Sequence, residues 1–338
     1  MIAALAAIAL APENPMPVTK VYTDWIVGCD NNLGCKALSL QPVFTAGIAP
    51  VADGALLVSV MRALAPGSPF IVAIRARNPE RRIEGLAVDG VPIDMTGQAG
   101  HFVVEYSGPA SRLFIAKLAD GKSLSATDRK GAPIGSASTA GIRSAIEYIE
   151  KVQGQSKGSV RIAPVILPPR ARGKPARLSA SDLAELSGHD PCSSGTAMLA
   201  FAVPGFAPPP QYVRLDRTAT MLIMHDRCRG NNAGSRLLLL DNRGHARRLP
   251  FEPEISGLEL EMDQDAERFL PNVWWEDSRR YLWTHSIGRK DGDCGEQRAY
   301  VWVDGRFVLV YHAQMPVCRG TPDFIVTYFR EVAFQGQR

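Results

Sequence analysis

Between Val21 and Ala37 the chain reads VYTDWIVGCDNNLGCKA. Tyr22, Asp24, Ile26 and Gly28 alternate with Thr23, Trp25, Val27 and Cys29, a period of two that predicts a strand with one apolar face led by Trp25. Further strands are predicted downstream. Ala55–Ala63 and Phe70–Arg77 read as a hairpin around Pro66-Gly67, and Leu86–Ile93 folds back at Asp89-Gly90, a strong two-residue hairpin signal. His101–Tyr106 and Ser111–Leu118 read as two more strands, the second turning at Asp120-Gly121. The period then changes. Thr139–Val152 spaces Ile142, Ala145, Ile146, Ile149 and Val152 along one helical stripe, and Gly154 marks its end.

Residues 159–178 interrupt this pattern with four prolines and the basic residues Arg161, Arg170, Arg172, Lys174 and Arg177. Such a composition predicts an extended spacer, with a solvated linker weighed against contact to anionic lipid or polymer. Leu178–Gly188 predicts a short helix capped by Ser179 or Ser181. Strands follow at Ser235–Leu240, Ala246–Phe251 and Tyr281–Ile287. Arg298–His312 (RAYVWVDGRFVLVYH) is the clearest hairpin, folded at Asp304-Gly305. The fold class expected is α+β and β-rich. Two domains, 17–158 and 179–338, are each an antiparallel sandwich or partly closed barrel with a short helix. A length of 338 residues agrees with two domains.

Composition changes little. A net charge of +4 over this length is too small to point to nucleic acid. The opening run MIAALAAIALA is too short for a membrane span and matches the apolar core of a signal peptide, so residues 1–15 are expected to be one. An apolar first strand or helix is the alternative. Residence in the periplasm or outside the cell follows, with no transmembrane span.

Six cysteines (Cys29, Cys35, Cys192, Cys228, Cys294 and Cys318) suit disulfides in such a compartment, and neighbours in sequence are expected to pair. Cys29 and Cys35 flank the turn-forming DNNLG. Closing that loop is worth about 2 kcal/mol, and a Cys294–Cys318 loop about 3.5 kcal/mol. The Asp304-Gly305 turn leaves Cys294 and Cys318 three positions out of register, so that bridge requires a bulge or converging strand ends.

One stretch resembles a known family. D-W-I-V-G-C-D-N-N-x-G-C-K-A, from Asp24 to Ala37, is similar to an uncharacterised envelope family of Gram-negative bacteria known only as a domain of unknown function. So are the Ser138–Gly154 helix with its Val152-Gln153-Gly154 ending, Gly292-Asp293-Cys294-Gly295, and Asp304-Gly305-Arg306-Phe307 with Cys318-Arg319-Gly320. The N-terminal part also looks like the invasion-associated locus B proteins, which are exported and β-rich. The resemblance implies location and disulfides but assigns no reaction. Gln155-Ser156-Lys157-Gly158 departs from it, where an Arg-containing stretch is expected.

Candidate chemistry is thin. Cys29-x5-Cys35 follows a strand, whereas exchangeable pairs favour C-x-x-C at a helix N-terminus. Ser193, Ser194, His189 and Asp190, with His225-Asp226, offer loose hydrolase residues and no G-x-S-x-G elbow. Asp291, Asp293 and Glu296 do not follow the calcium-loop spacing, and no zinc-knuckle spacing occurs, so no metal or cofactor is expected. Aromatic residues crowd the C-terminal half. Tyr300 and Trp302 read as core, whereas the adjacent Trp274 and Trp275 must face opposite ways, exposing one ring. Trp274, Trp275 and Trp283 are the candidate binding residues, suited to a glycan or peptide. The expected function is a non-enzymatic module that binds an envelope protein or cell-wall polymer. A periplasmic hydrolase or thiol–disulfide catalyst is the alternative.

Overall fold

The computed structural model describes residues 19–40, 54–63, 68–95, 100–155, 162–186, 209–229, 232–252 and 270–335. In the N-terminal half these form β1 (Lys20–Tyr22), β2 (Trp25–Cys29), β3 (Cys35–Ser39), β4 (Leu56–Arg62) and β5 (Phe70–Ala76). Next come β6 (Gly85–Val88), β7 (Val91–Ile93), β8 (Val103–Tyr106) and helix α1 (Gly108–Asp120). β9 (Ser123–Thr127), β10 (Pro133–Ser138) and helix α2 (Ile142–Gln155) complete it.

β1-β2-β3-β4-β5-β8 make a six-stranded sheet, and β10-β9-β6-β7 a four-stranded one, with all pairs antiparallel. The core lies between them and the two helices, where Trp25, Val27, Val58, Val72 and Ile74 meet Phe114, Leu118, Ile142 and Ile149. The β2 alternation places Trp25 inward, and its indole donates to the Ser138 carbonyl at 3.2 Å. The Asp89-Gly90 hairpin joins β6 to β7.

Ser111–Leu118 is a correction, because the segment is helix α1 rather than a strand. Pro109 sits in the first turn, where its missing N–H costs nothing. The buried positions Ser111, Phe114, Ile115 and Leu118 have helical spacing, which the polar Ser111 and exposed Leu113 obscure in the sequence. Asp120-Gly121 therefore ends a helix, with the Gly121 N–H reaching the Lys117 and Leu118 carbonyls. β9 and β10 follow, rich in Ser and Ala rather than β-branched residues, and sequence periodicity misses them.

The second half starts with β11 (Val165–Leu167), inside the Pro/Arg-rich stretch, and helix α3 (Ala180–Leu186). The Ser179 hydroxyl caps α3 by accepting from the Asp182 N–H at 3.1 Å. Then come β12 (Gln211–Arg214), β13 (Thr220–Arg229), β14 (Asn232–Leu240), β15 (Ala246–Arg248) and β16 (Leu270–Pro271). β17 (Trp274–Glu276), β18 (Tyr281–Ile287), β19 (Gly295–Val303), β20 (Arg306–Met315), β21 (Ile325–Phe329) and β22 (Val332–Phe334) close the chain.

β12 to β16 form one antiparallel sheet and β17-β18-β19-β20-β21 another, and neither closes into a barrel. They pack as a sandwich over Met221, Ile223, Leu239, Leu282, Tyr300, Trp302 and Phe307. The outer face of the β17–β21 sheet is covered in two places. β11 and β22, paired parallel, lay Val165 and Leu167 over Ala299, Val301, Val308 and Val310. At the other end, Ala313, Met315, Phe324 and Ile325 pack on Ile26, Leu38 and Leu40 of the N-terminal half. Each fully buried aliphatic in that seam is worth about 1.5–3 kcal/mol.

Candidate functional site

Between those two covers runs an aromatic row. Register pairs Trp274 with Trp283, Trp283 with Ala299, Ala299 with Tyr311, and Tyr311 with Phe329, so the row crosses all five strands. Directly opposed residues share a face, and four strand spacings give a length of about 19 Å. Trp274 and Trp283 stack with centroids 5.7 Å apart and planes within 7°. Trp283 meets Tyr311 edge-on at 5.4 Å, over the small side chain of the fully buried Ala299. The two ends are the exposed members, Trp274 at 42% and Phe329 at 43%.

The row is held from behind and at both ends. The Trp283 indole donates to Glu276 at 2.8 Å. Trp275 faces the opposite way, half-buried against the sandwich core, and donates to Asp277 at 3.4 Å. At the far end Asn31 acts as a substitute strand: its Nδ2 donates to the Phe329 carbonyl at 3.0 Å and its Oδ1 accepts the Phe329 N–H at 2.7 Å. Asn32 adds a second donor to that carbonyl at 3.2 Å. Both asparagines sit in the turn closed by the Cys29–Cys35 disulfide.

On the sandwich-facing side of the same sheet lies a buried polar row, Thr284, Arg298 and His312 in register, with Thr327 beside it. His312 shares Nδ1 with the Thr327 hydroxyl, and its Nε2 lies 3.8 Å from Glu296. Burial lowers the His312 pKa, while the same imidazole beside Glu296 holds that carboxyl below its usual range. Thr327 is fully buried, so this hydroxyl–imidazole–carboxylate series presents no nucleophile at the surface.

Cys29 and Cys35 face each other across β2 and β3, both buried, and Cys294 is bonded to Cys318. A bulge between Ala299 and Tyr300 takes up one of the three positions of mismatch, pairing Gly295 with Met315, and the second bridge closes just beyond those strand ends. Cys228 lies on β13 opposite Ala233, but its side chain, like all of Cys192, lies outside the described residues. So do residues 1–15, His189, Asp190, Ser193 and Ser194, and the side chains of His225 and Asp226. Of the three carboxylates near Cys294, Asp291 and Asp293 share Arg289, and Glu296 pairs elsewhere. Asp293 is buried against Arg289 and the Gly320 N–H, and Glu296 accepts from Arg298 at 2.7 Å. Asp293, Cys294 and Cys318 stand close enough to suggest a metal group, but the two sulfurs are bonded to each other. Among the described residues no helix is long and apolar enough to cross a membrane.

Sequence reasoning missed Tyr311, Phe329 and the two asparagines. Tyr311 reaches the row only because the bulge puts it, rather than Val310, opposite Ala299. Fold and site define a β-rich, disulfide-braced α+β protein with an aromatic strip on a largely covered sheet. The chain belongs to a family of proteins of unknown function, DUF1176, whose family model matches residues 19–330. No curated protein and no solved structure matches it.

Proposed function

We propose that this chain is an exported envelope protein that binds a protein or cell-wall polymer along the aromatic row. The carrying observation is the row itself: four aromatic rings in register across one sheet, exposed at both ends. Flat, apolar rings with a fixed orientation suit stacking against sugar faces or peptide side chains at low entropic cost. Two disulfides support maturation in an oxidising compartment, and with it the signal peptide at residues 1–15 and periplasmic or secreted residence. A Gram-negative envelope, and kinship of the N-terminal part with the locus B proteins, belong to the same proposal. So does the division into domains 17–158 and 179–338, the second carrying the contact surface.

The enzymatic alternative has less to draw on. The Cys29–Cys35 bridge is buried and ends a strand, which supports a structural rather than exchangeable pair. Binding of the mature, oxidised protein to purified peptidoglycan sacculi and to envelope extract, with and without Trp274→Ala, tests the proposal. Retention should fall at least about tenfold in affinity for the variant, the scale of an aromatic hot spot, with an unchanged melting temperature. Equal retention of both proteins, or turnover of an envelope substrate that survives Trp274→Ala, overturns it.

A further inference from the structure

The loop between β20 and β21 carries a cluster that the aromatic row does not use. Asp323 is shared by three cations: Lys36 from β3, Arg75 from β5 at 3.5 Å, and Arg319 of its own loop at 3.3 Å. These four groups hold three positive charges and one negative, a net of +2 (3 − 1) at the seam between the two halves. The nearby Asp293 offers little relief, since it is bound by Arg289 and the Gly320 N–H.

Arg319 is the unusual member. It is completely buried, yet among the described residues its Nε and Nη2 have no hydrogen-bond partner. A guanidinium is a planar fork of donors suited to two oxygens at once, and burying it half-used is costly. Burial lowers its pKa to about 10, and Arg75 pushes the same way. Arg75 donates to the Thr321 hydroxyl at 3.2 Å and keeps 43% of its side chain exposed, so the cluster opens to solvent on that side. The bonded Cys294–Cys318 pair anchors the loop beside Arg319 and fixes the spacing of these groups.

We propose that Lys36, Arg75 and Arg319 form a binding site for a phosphoryl oxyanion, seated at the seam beside Asp323. A dianion there balances the net charge of the cluster and gives the unused guanidinium donors their acceptors. Two arginines and a lysine from three separate elements match a group with oxygens on several sides. The ligand bridges residues of both halves, so occupancy ties them together. The site is independent of the aromatic row.

The probe is inorganic phosphate. Melting temperature is followed against phosphate concentration, with sodium chloride at matched ionic strength as reference and acetate as a monoanion control. A saturable rise is expected with phosphate alone. Removing the buried Arg319 endangers the fold itself, so Arg75→Gln carries the test, with Arg129→Gln in a distant exposed turn as control. The half-saturating phosphate concentration should rise at least about tenfold in Arg75→Gln and stay unchanged in Arg129→Gln, a factor that corresponds to 1.4 kcal/mol. No saturable rise over chloride, an equal rise with acetate, or an unchanged half-saturation in Arg75→Gln overturns the site.

Discussion

His285 and His312 both lie where burial disfavours an imidazolium, and the Arg298 charge beside His312 adds to the effect. Unfolded, each takes up a proton near the ordinary imidazole value of 6.5, whereas folded each resists until a lower pH. In that window the unfolded chain binds more protons, so stability falls as pH drops below about 6.5. Urea midpoints at pH 7.5 and 5.5 should therefore differ, and His312→Gln should shrink the difference. An equal difference in wild type and variant would show that the native imidazole titrates normally. The polar row that holds His312 is legible in the sequence only as single residues. Its members come together through the register of β18, β19 and β20, which depends on the bulge at Ala299 and Tyr300.

At the scale of elements, the strands with strict alternation or an Asp-Gly turn are legible. β5, β18 and the β19–β20 hairpin follow directly from side-chain period and turn chemistry, whereas β2 is buried on both faces because the C-terminal half covers the one that carries Ile26. α1 is not, because its buried stripe begins with Ser111 and its outer face carries Leu113. β11 is hidden for a different reason. Its three residues lie among prolines, and only the parallel pairing with β22, far along the chain, makes them a strand. The Cys294–Cys318 bridge joins the two levels. It closes across strand ends where Gly295, at φ +127°, leaves no room for a side chain: a Cβ would lie 1.8 Å from the Ser286 carbonyl oxygen. Replacing both cysteines by serine should lower the unfolding free energy by about 3.5 kcal/mol, measured by denaturant titration. A loss under about 1 kcal/mol would mean that the strand pairing alone fixes this end.

For the molecule as a whole, the decisive contact is the seam between β21 and the N-terminal sheet. Gly28 permits it, since a Cβ there would sit 2.8 Å from Ile325 Cγ2 and 3.0 Å from Thr19 Cγ2. The sequence places Gly28 on the outer face of β2, but only the approach of β21 explains why a side chain is unwelcome there. Gly28→Ala should cost about 1–3 kcal/mol through overpacking. Limited proteolysis should then release two fragments earlier than in wild type. Unchanged stability and cleavage would mean that the halves tolerate separation at this point. Half of the candidate site was legible by the same measure. Trp274 and Trp283 stand out by residue type, whereas Trp275 turns to the core and Tyr311 and Phe329 join the row only when five strands are in register.

The Asn31 amide at Phe329 also has a bearing on how the chain behaves before it is fully oxidised. β21 is the last strand of its sheet, and such a margin can recruit a strand from another molecule. In the oxidised protein the Phe329 N–H and carbonyl are already taken by a turn whose shape the Cys29–Cys35 bond secures. A copy made under reducing conditions keeps the Asp30 hydrogen bonds of that turn but lacks its covalent brace, which weakens the stopper. Self-association during production, and its relief by an oxidising compartment, would then trace to a six-residue separation at the other end of the chain.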